Sequence, residues 1–211
     1  MSIRVILCDD HTLIRRGMRD ILTDAPDITV VGEADDYASL RALLRTGEGC
    51  DVLMLDINLP GRDGLDVLRA LQEQGAGLRV LMVSMYPEEQ YALRALRAGA
   101  YGYLNKRGDA GQILKAVRTV ARGEKFITPE LAQILVESVT RPEPGSGHQL
   151  LSDREMQTLT MIASGKRLSD IAEELMLSPK TISVYRARVL EKLGLKNNSE
   201  LTVYAIRNGL V

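Results

Sequence analysis

Five short apolar runs, each followed by an amphipathic stretch, constrain this chain more than any other feature of its sequence. The runs are Ile3–Cys8, Ile28–Ala34, Val52–Asp56, 80–84 and 101–104, rich in Val, Ile, Leu and Tyr. Between the first two, Ile14, Met18, Ile21 and Leu22 recur at spacings of three and four, the period of a helix with one buried face. Similar stretches lie near 37–46, 64–74, 87–98 and 109–122. Parallel neighbours need crossovers, and crossovers are right-handed. Five strand–helix repeats therefore predict an α/β fold, a doubly wound five-stranded parallel sheet with helices on both faces. In such sheets functional groups gather at the carboxyl ends of the strands.

Downstream the pattern changes. Thr128-Pro129-Glu130 opens a helix to about residue 139, and 141–148 reads as a linker, with two prolines and two glycines in eight residues. Beyond it everything is helical, predicting a small all-α four-helix domain. Ser152 and Glu155 form a capping box ahead of Met156, Leu159 and Ile162. Ile171, Ala172 and Leu175 mark a second helix. Ser178 caps a third, with Pro179 at its first position, and a fourth covers roughly 199–208 before Gly209. The second and third helices have the spacing of a helix-turn-helix. The predicted domains are 1–125, a joining helix and linker at 126–148, and 149–211.

Composition narrows the function classes. At 45% hydrophobic and 26% charged residues the chain is an ordinary globular one, which excludes disorder. No apolar run approaches the roughly 18 residues of a membrane span. The first apolar run meets Asp9 and Asp10 too soon for a secretory signal, so the expected location is the cytoplasm, away from membranes. Cys8 and Cys50 make no metal or disulfide pattern and read as small buried apolar residues. One Phe, seven Tyr and no Trp leave no platform for stacking single-stranded bases. The net charge of −1 hides two unlike parts: residues 150–211 hold nine basic and seven acidic residues, the remainder 18 and 21. Five of the basic ones, Lys180, Arg186, Arg188, Lys192 and Lys196, lie within 178–196 beside a single acid, Glu191.

The predicted strand ends carry a chemical set. Asp9 and Asp10 follow the first strand, Asp56 ends the third, Ser84 the fourth, and Lys106 follows the fifth. A parallel sheet projects all of them from one edge. Carboxylates a few ångströms apart repel by roughly 4 kcal/mol per pair at an effective dielectric near 20. A divalent cation resolves that, and oxygen-only ligands favour Mg²⁺. Asp56 then has an oxygen free to act as a nucleophile toward phosphorus, with Lys106 and Ser84 positioned to neutralise phosphoryl oxygens. His11, beside the acids, reads as a neutral surface histidine.

At these residues the first ~125 positions resemble the flavodoxin-like receiver domain of two-component response regulators. The resemblance rests on Asp9-Asp10-His11, on 55–64 with Asp56, Asn58, Pro60 and Gly64, on Ser84, and on 99–106 ending in Lys106. It implies Asp56 as acceptor of a phosphoryl group from a sensor histidine kinase. It also implies a Mg²⁺ shell of Asp9, Asp10, Asp56 and the Asn58 carbonyl, switch residues Ser84 and Tyr103, and Lys106 as phosphate ligand. Arg107 stands where the family commonly has proline. The tail resembles the LuxR-type DNA-binding domain through 151–155, Gly165, 171–173, 177–182 and 192–195, and the pair is the NarL/FixJ architecture. That resemblance maps base reading onto Ser183, Val184 and Ala187, and phosphate contacts onto Lys180, Thr181 and Arg188.

On a helical wheel Ile182, Tyr185, Val189 and Leu193 form the buried face of the third tail helix. Val184 points outward, where it reads either as a thymine-methyl contact or as a scattered surface valine. Tyr185, Ala187 and Asn198 replace a frequent His, Lys and Arg, so double-stranded DNA is expected to bind weakly to one copy and better to a homodimer formed on phosphorylation. Two rival readings remain. An aspartyl phosphatase needs a second acid two residues after its nucleophile, where this chain has Asn58; a protein-docking tail would suit the reduced charge at Ala187 and Asn198.

Overall fold

Right-handed crossovers explain the layering of the first unit. Its five strands, β1 (Ile3–Cys8), β2 (Ile28–Ala34), β3 (Val52–Asp56), β4 (Arg79–Ser84) and β5 (Gly102–Asn105), pair in parallel in the order β2-β1-β3-β4-β5. The first crossover, through α1 (Thr12–Thr23), steps one way; those through α2 (Tyr37–Arg45), α3 (Gly64–Glu73) and α4 (Glu88–Arg97) step the other way. The same hand with opposite directions puts α1 on one face and α2–α4 on the other. The final helix of the sheet, α5 (Ala110–Ala121), joins α1. The computed structural model describes residues 2–46, 49–75, 77–140 and 147–211, which divide into the units Met1–Val136 and Glu137–Val211. The predicted linker falls mostly on 141–146, outside the described residues.

Strand alternation supplies both cores. Val5, Leu7, Val52, Met54, Leu81, Val83 and Leu104 face Met18 and Leu22 of α1 and Ile113, Ala116, Val117 and Val120 of α5. The intervening residues, Ile6, Leu53, Leu55, Val80 and Met82, are equally buried and serve the opposite face. Phe126 closes the first core beside Gly102, and α6 (Pro129–Thr140) begins on the same unit with Leu131 buried. The last strand runs one residue further than its apolar letters suggest. Asn105 pairs with Ser84 and sends Nδ2 to the Tyr86 carbonyl at 3.1 Å, so its polar side chain is used rather than wasted.

In the second unit, α7 (Asp153–Ala163) packs on α9 (Pro179–Leu193) and α10 (Asn198–Arg207), and α8 (Leu168–Glu174) packs on α9. Ser152 and Glu155 form the predicted capping box, and Ser178 caps α9 through the Thr181 N–H at 3.0 Å. The turn between α8 and α9 puts Met176 at φ 51°, a left-handed conformation that costs a side-chain-bearing residue about 1–2 kcal/mol. Ile182 and Val189 are buried as expected, but Tyr185 and Leu193 are only half-buried and Leu190 joins the core in their place. A turn of 3-10 helix at Gly147–Leu150 precedes α7, where loop was expected.

Lys192 has an internal partner. Its Nζ lies 2.6 Å from Glu155 Oε2 and 3.2 Å from the Leu150 carbonyl. Burial pushes the Glu155 carboxyl up, but Lys192 and the Ser152 N–H more than offset this and leave it below its ordinary value. A carboxylate with a depressed folded pKa stabilises fully above its unfolded value and loses that contribution as pH falls through the folded one. Glu155→Gln is therefore expected to lower the stability of the second unit by about 1–2 kcal/mol at pH 7. Denaturant melts should show the gap narrowing below pH 4; an unchanged gap would mean the charge is irrelevant.

Candidate functional site

The strand order reverses between β1 and β3, and the crevice at the carboxyl ends of these two strands is where the acids meet. Register fixes the approach: Cys8 pairs with Leu55, so Asp9 and Asp56 leave the sheet side by side. Ligand atoms of Asp9, Asp10, His11 and Asp56 all lie within 4.8 Å of one another. Lys106 follows β5, with its N–H bonded to the Ser84 carbonyl at 2.7 Å, and its buried Nζ reaches Asp56 Oδ2 at 2.6 Å and Asp9 Oδ2 at 2.8 Å. Arg15 holds the backbone behind the acids, donating to the Asp9 carbonyl and to Glu33. Asp56 Oδ1 accepts the Asn58 N–H at 3.2 Å.

The electrostatics follow from burial. Loss of water pushes the carboxyl of Asp9 up, with the Asp56 charge adding to the effect, and burial likewise raises Asp10. His11 lies at the surface as expected, but its ring is drawn toward the charged form. Its Nδ1 lies 3.8 Å from Asp56 Oδ2 and 2.7 Å from Asp10 Oδ1, and these carboxylates push the imidazole up to about 9. The remaining donors of the cluster, from Asp9, Asp10 and Asp56, are carboxylate oxygens. Asp9 Oδ2 and Asp10 Oδ1 are both buried, the first 2.8 Å from Lys106 Nζ and the second 2.7 Å from His11 Nδ1, and each carboxylate oxygen has a further lone pair to offer. A buried oxygen-only set with spare lone pairs fits Mg²⁺.

Ser84 and Tyr103 stand beside this cluster on neighbouring strands. Ser84 is buried, and its Oγ accepts the Tyr86 N–H at 3.1 Å. Tyr103 is fully buried; its hydroxyl donates to the Tyr86 carbonyl at 2.7 Å, and burial pushes its pKa up. The Tyr86 carbonyl therefore gathers Tyr103 and Asn105 at one point. A backbone acceptor leaves no letter in the sequence, and this one was not anticipated.

In the second unit, Lys180, Ser183, Val184, Ala187 and Arg188 are exposed along one side of α9, and Thr181 is half-buried with its hydroxyl 2.8 Å from Ser178 Oγ. Val184 keeps 42% of its surface in water. Arg186 turns toward α10, its Nε donating to Asn198 Oδ1 at 2.5 Å. Of the five basic residues counted around this helix, Lys192 is thus committed inward to Glu155.

A receiver sheet with this crevice, on one chain with a helix-turn-helix unit, defines a response regulator. Residues 5–118 match the family "Response regulator receiver domain" and residues 149–205 match "Bacterial regulatory proteins, luxR family". The chain belongs to the NarL/FixJ-type response regulators, which are phosphorylation-dependent transcription regulators rather than metabolic enzymes. It is 38% identical to the response regulator UvrY of Escherichia coli (strain K12), over 99% of this chain and 95% of that one. It is 37% identical to the response regulator GacA of Pseudomonas protegens, over 99% and 98%. Among solved structures, RcsB from Salmonella enterica serovar Typhimurium, bound to promoter rprA with the phosphomimetic BeF3-, superposes at a TM-score of 0.65 with 27% identity, covering 97% of this chain and 98% of that one. The response regulator ChrA of a heme-sensing system gives a TM-score of 0.54 with 35% identity over 100% and 99%. No described helix is long and apolar enough to cross a membrane.

Proposed function

We propose that Asp56 accepts a phosphoryl group from a sensor histidine kinase and that this acyl phosphate governs DNA binding by the second unit. The observation that carries the reading is the Lys106 ammonium bridging Asp56 and Asp9 among carboxylates whose ligand atoms lie within 4.8 Å. One Asp56 oxygen attacks phosphorus; the new O–P bond forms as the N–P bond of the donor phosphohistidine breaks. Asp9, Asp10, Asp56 and the Asn58 carbonyl would hold Mg²⁺. Bound there, Mg²⁺ supplies positive charge beside the phosphoryl oxygens. Lys106 and Ser84 bind the remaining phosphoryl oxygens, so self-phosphorylation needs little beyond positioning and charge, and self-dephosphorylation needs in addition a water that attacks phosphorus as the Asp56 O–P bond breaks, releasing inorganic phosphate. When Ser84 moves toward the phosphoryl group, its bond from the Tyr86 N–H breaks, and Tyr103, bonded to the same residue, is released to follow.

The division of labour assigned is a receiver at 1–125, a joining segment at 126–148 and a DNA-binding domain at 149–211. In that domain Ser183, Val184 and Ala187 face bases, while Lys180, Thr181 and Arg188 contact phosphate, aided by the positive N-terminal end of α9. Phosphorylation favours a homodimer, whose two heads on half-sites about 34–36 Å apart gain roughly 10²–10⁴ in avidity over one. The protein acts in the cytoplasm, where kinase and chromosome meet. Intact mass after incubation with acetyl phosphate and Mg²⁺ tests the assignment: wild type gains one phosphoryl group and Asp56→Asn gains none. Equal uptake by the variant would reject it.

A further inference from the structure

On the sheet face opposite α1 and α5 lies a cavity of about 450 Å³, bounded by α2, the β1–β2 edge and the end of α3. Its size is that of a small-molecule site, and it shares no residue with the carboxylate crevice. Ile6, Val31, Leu43, Leu71 and Leu78 make its wall. A bulge in β2 lies beside it. The register passes from Val5 opposite Val30 to Ile6 opposite Gly32, so Val31 is left over and turns into the cavity next to Gly32. A Cβ at Gly32 would meet Leu43 Cδ1 at 3.1 Å and Ile6 Cγ1 at 3.6 Å, so glycine lets Leu43 of the wall pack close against the strand. Bulges re-aim side chains beside functional sites more often than elsewhere.

Among the described residues, the charged groups on the rim are all of one sign. Arg41 and Arg45 sit four residues apart on α2, where like charges on one ridge repel. Arg41 rests 5.8 Å from the Tyr37 ring, and among the described residues neither arginine pairs with a carboxylate. No described acid lines the cavity, and the Cys50 thiol in its wall, pushed up to about 11 by burial, stays neutral. We propose that this cavity binds a small amphipathic carboxylate, with its hydrocarbon part against the Ile6–Leu71 wall and its carboxylate between Arg41 and Arg45.

Octanoate is the probe. Titrated into the ¹⁵N-labelled full chain, it should give saturable amide shifts at Val31, Gly32, Leu43 and Leu78. Acetate, which lacks the chain, and n-octanol, which lacks the charge, should each bind about tenfold or more weakly, as expected for losing apolar burial or a charge-assisted hydrogen bond. Both arginines are exposed, so Arg41→Gln with Arg45→Gln should leave the fold intact, weaken octanoate about tenfold and leave n-octanol unchanged. Absence of saturable octanoate shifts, equal shifts with n-octanol, or full octanoate affinity in the double variant would each overturn the proposal.

Discussion

Lys106→Ala should slow phosphoryl uptake by about 10²-fold, the usual scale for removing one fixed charge-stabilising group. The same change should lower the stability of the receiver unit by about 3 kcal/mol at pH 7. It removes the ammonium that lies 2.6 Å from Asp56 and 2.8 Å from Asp9, and breaking a buried pair leaves uncompensated charge behind. His11 offsets part of the loss, being already drawn to the same acids. Added Mg²⁺ should restore stability without restoring rate, because the ammonium is placed for the phosphoryl oxygens and not only for the carboxylates. Stopped-flow uptake from acetyl phosphate and urea melts with and without Mg²⁺ check both parts. A variant that loses stability but keeps the wild-type rate would reduce Lys106 to a structural counter-ion.

Gly64→Ala should be nearly as damaging, by a different route. The Gly64 N–H donates to the Ile57 carbonyl at 2.8 Å, and a Cβ there would sit 2.0 Å from the Asp56 carbonyl oxygen and 2.8 Å from the Ile57 Cα. These are backbone atoms, so no rotamer relieves the clash; either α3 or the end of β3 must move. The expected cost is about 3 kcal/mol, at the upper end for overpacking, together with slower uptake because Asp56 shifts with its own carbonyl. Gly61→Ala is the control. Gly61 has φ 71° with open space where a Cβ would be, so it should cost only about 1 kcal/mol and leave the rate intact. Equal stability of Gly64→Ala and wild type in a urea melt would contradict the geometry.

The sheet was legible because apolar runs and helical spacings obey two distinct periods, and one hand of crossover turns that order into a topology. The strand-end acids were legible for the same reason: once Asp9, Asp10 and Asp56 are placed at carboxyl ends, the sheet brings them together. What escaped depends on distances between side chains far apart in the chain. The upward push on the His11 pKa comes from Asp56, distant in sequence, as well as from the adjacent Asp10. Val30-Val31-Gly32 reads as uninterrupted strand, so the bulge and the cavity beside it were invisible. Leu190 was assigned to no face, because a wheel counts angles and cannot say which neighbouring helix arrives there.

The Lys192–Glu155 pair also bears on how binding responds to salt. A lysine that neutralises an internal carboxylate displaces no counterion from DNA. Each phosphate contact withheld makes the slope of log affinity against log salt shallower by about 0.9. The salt slope is then expected to reflect Lys180 and Arg188, the charged residues assigned to phosphate, rather than all five basic residues around the helix.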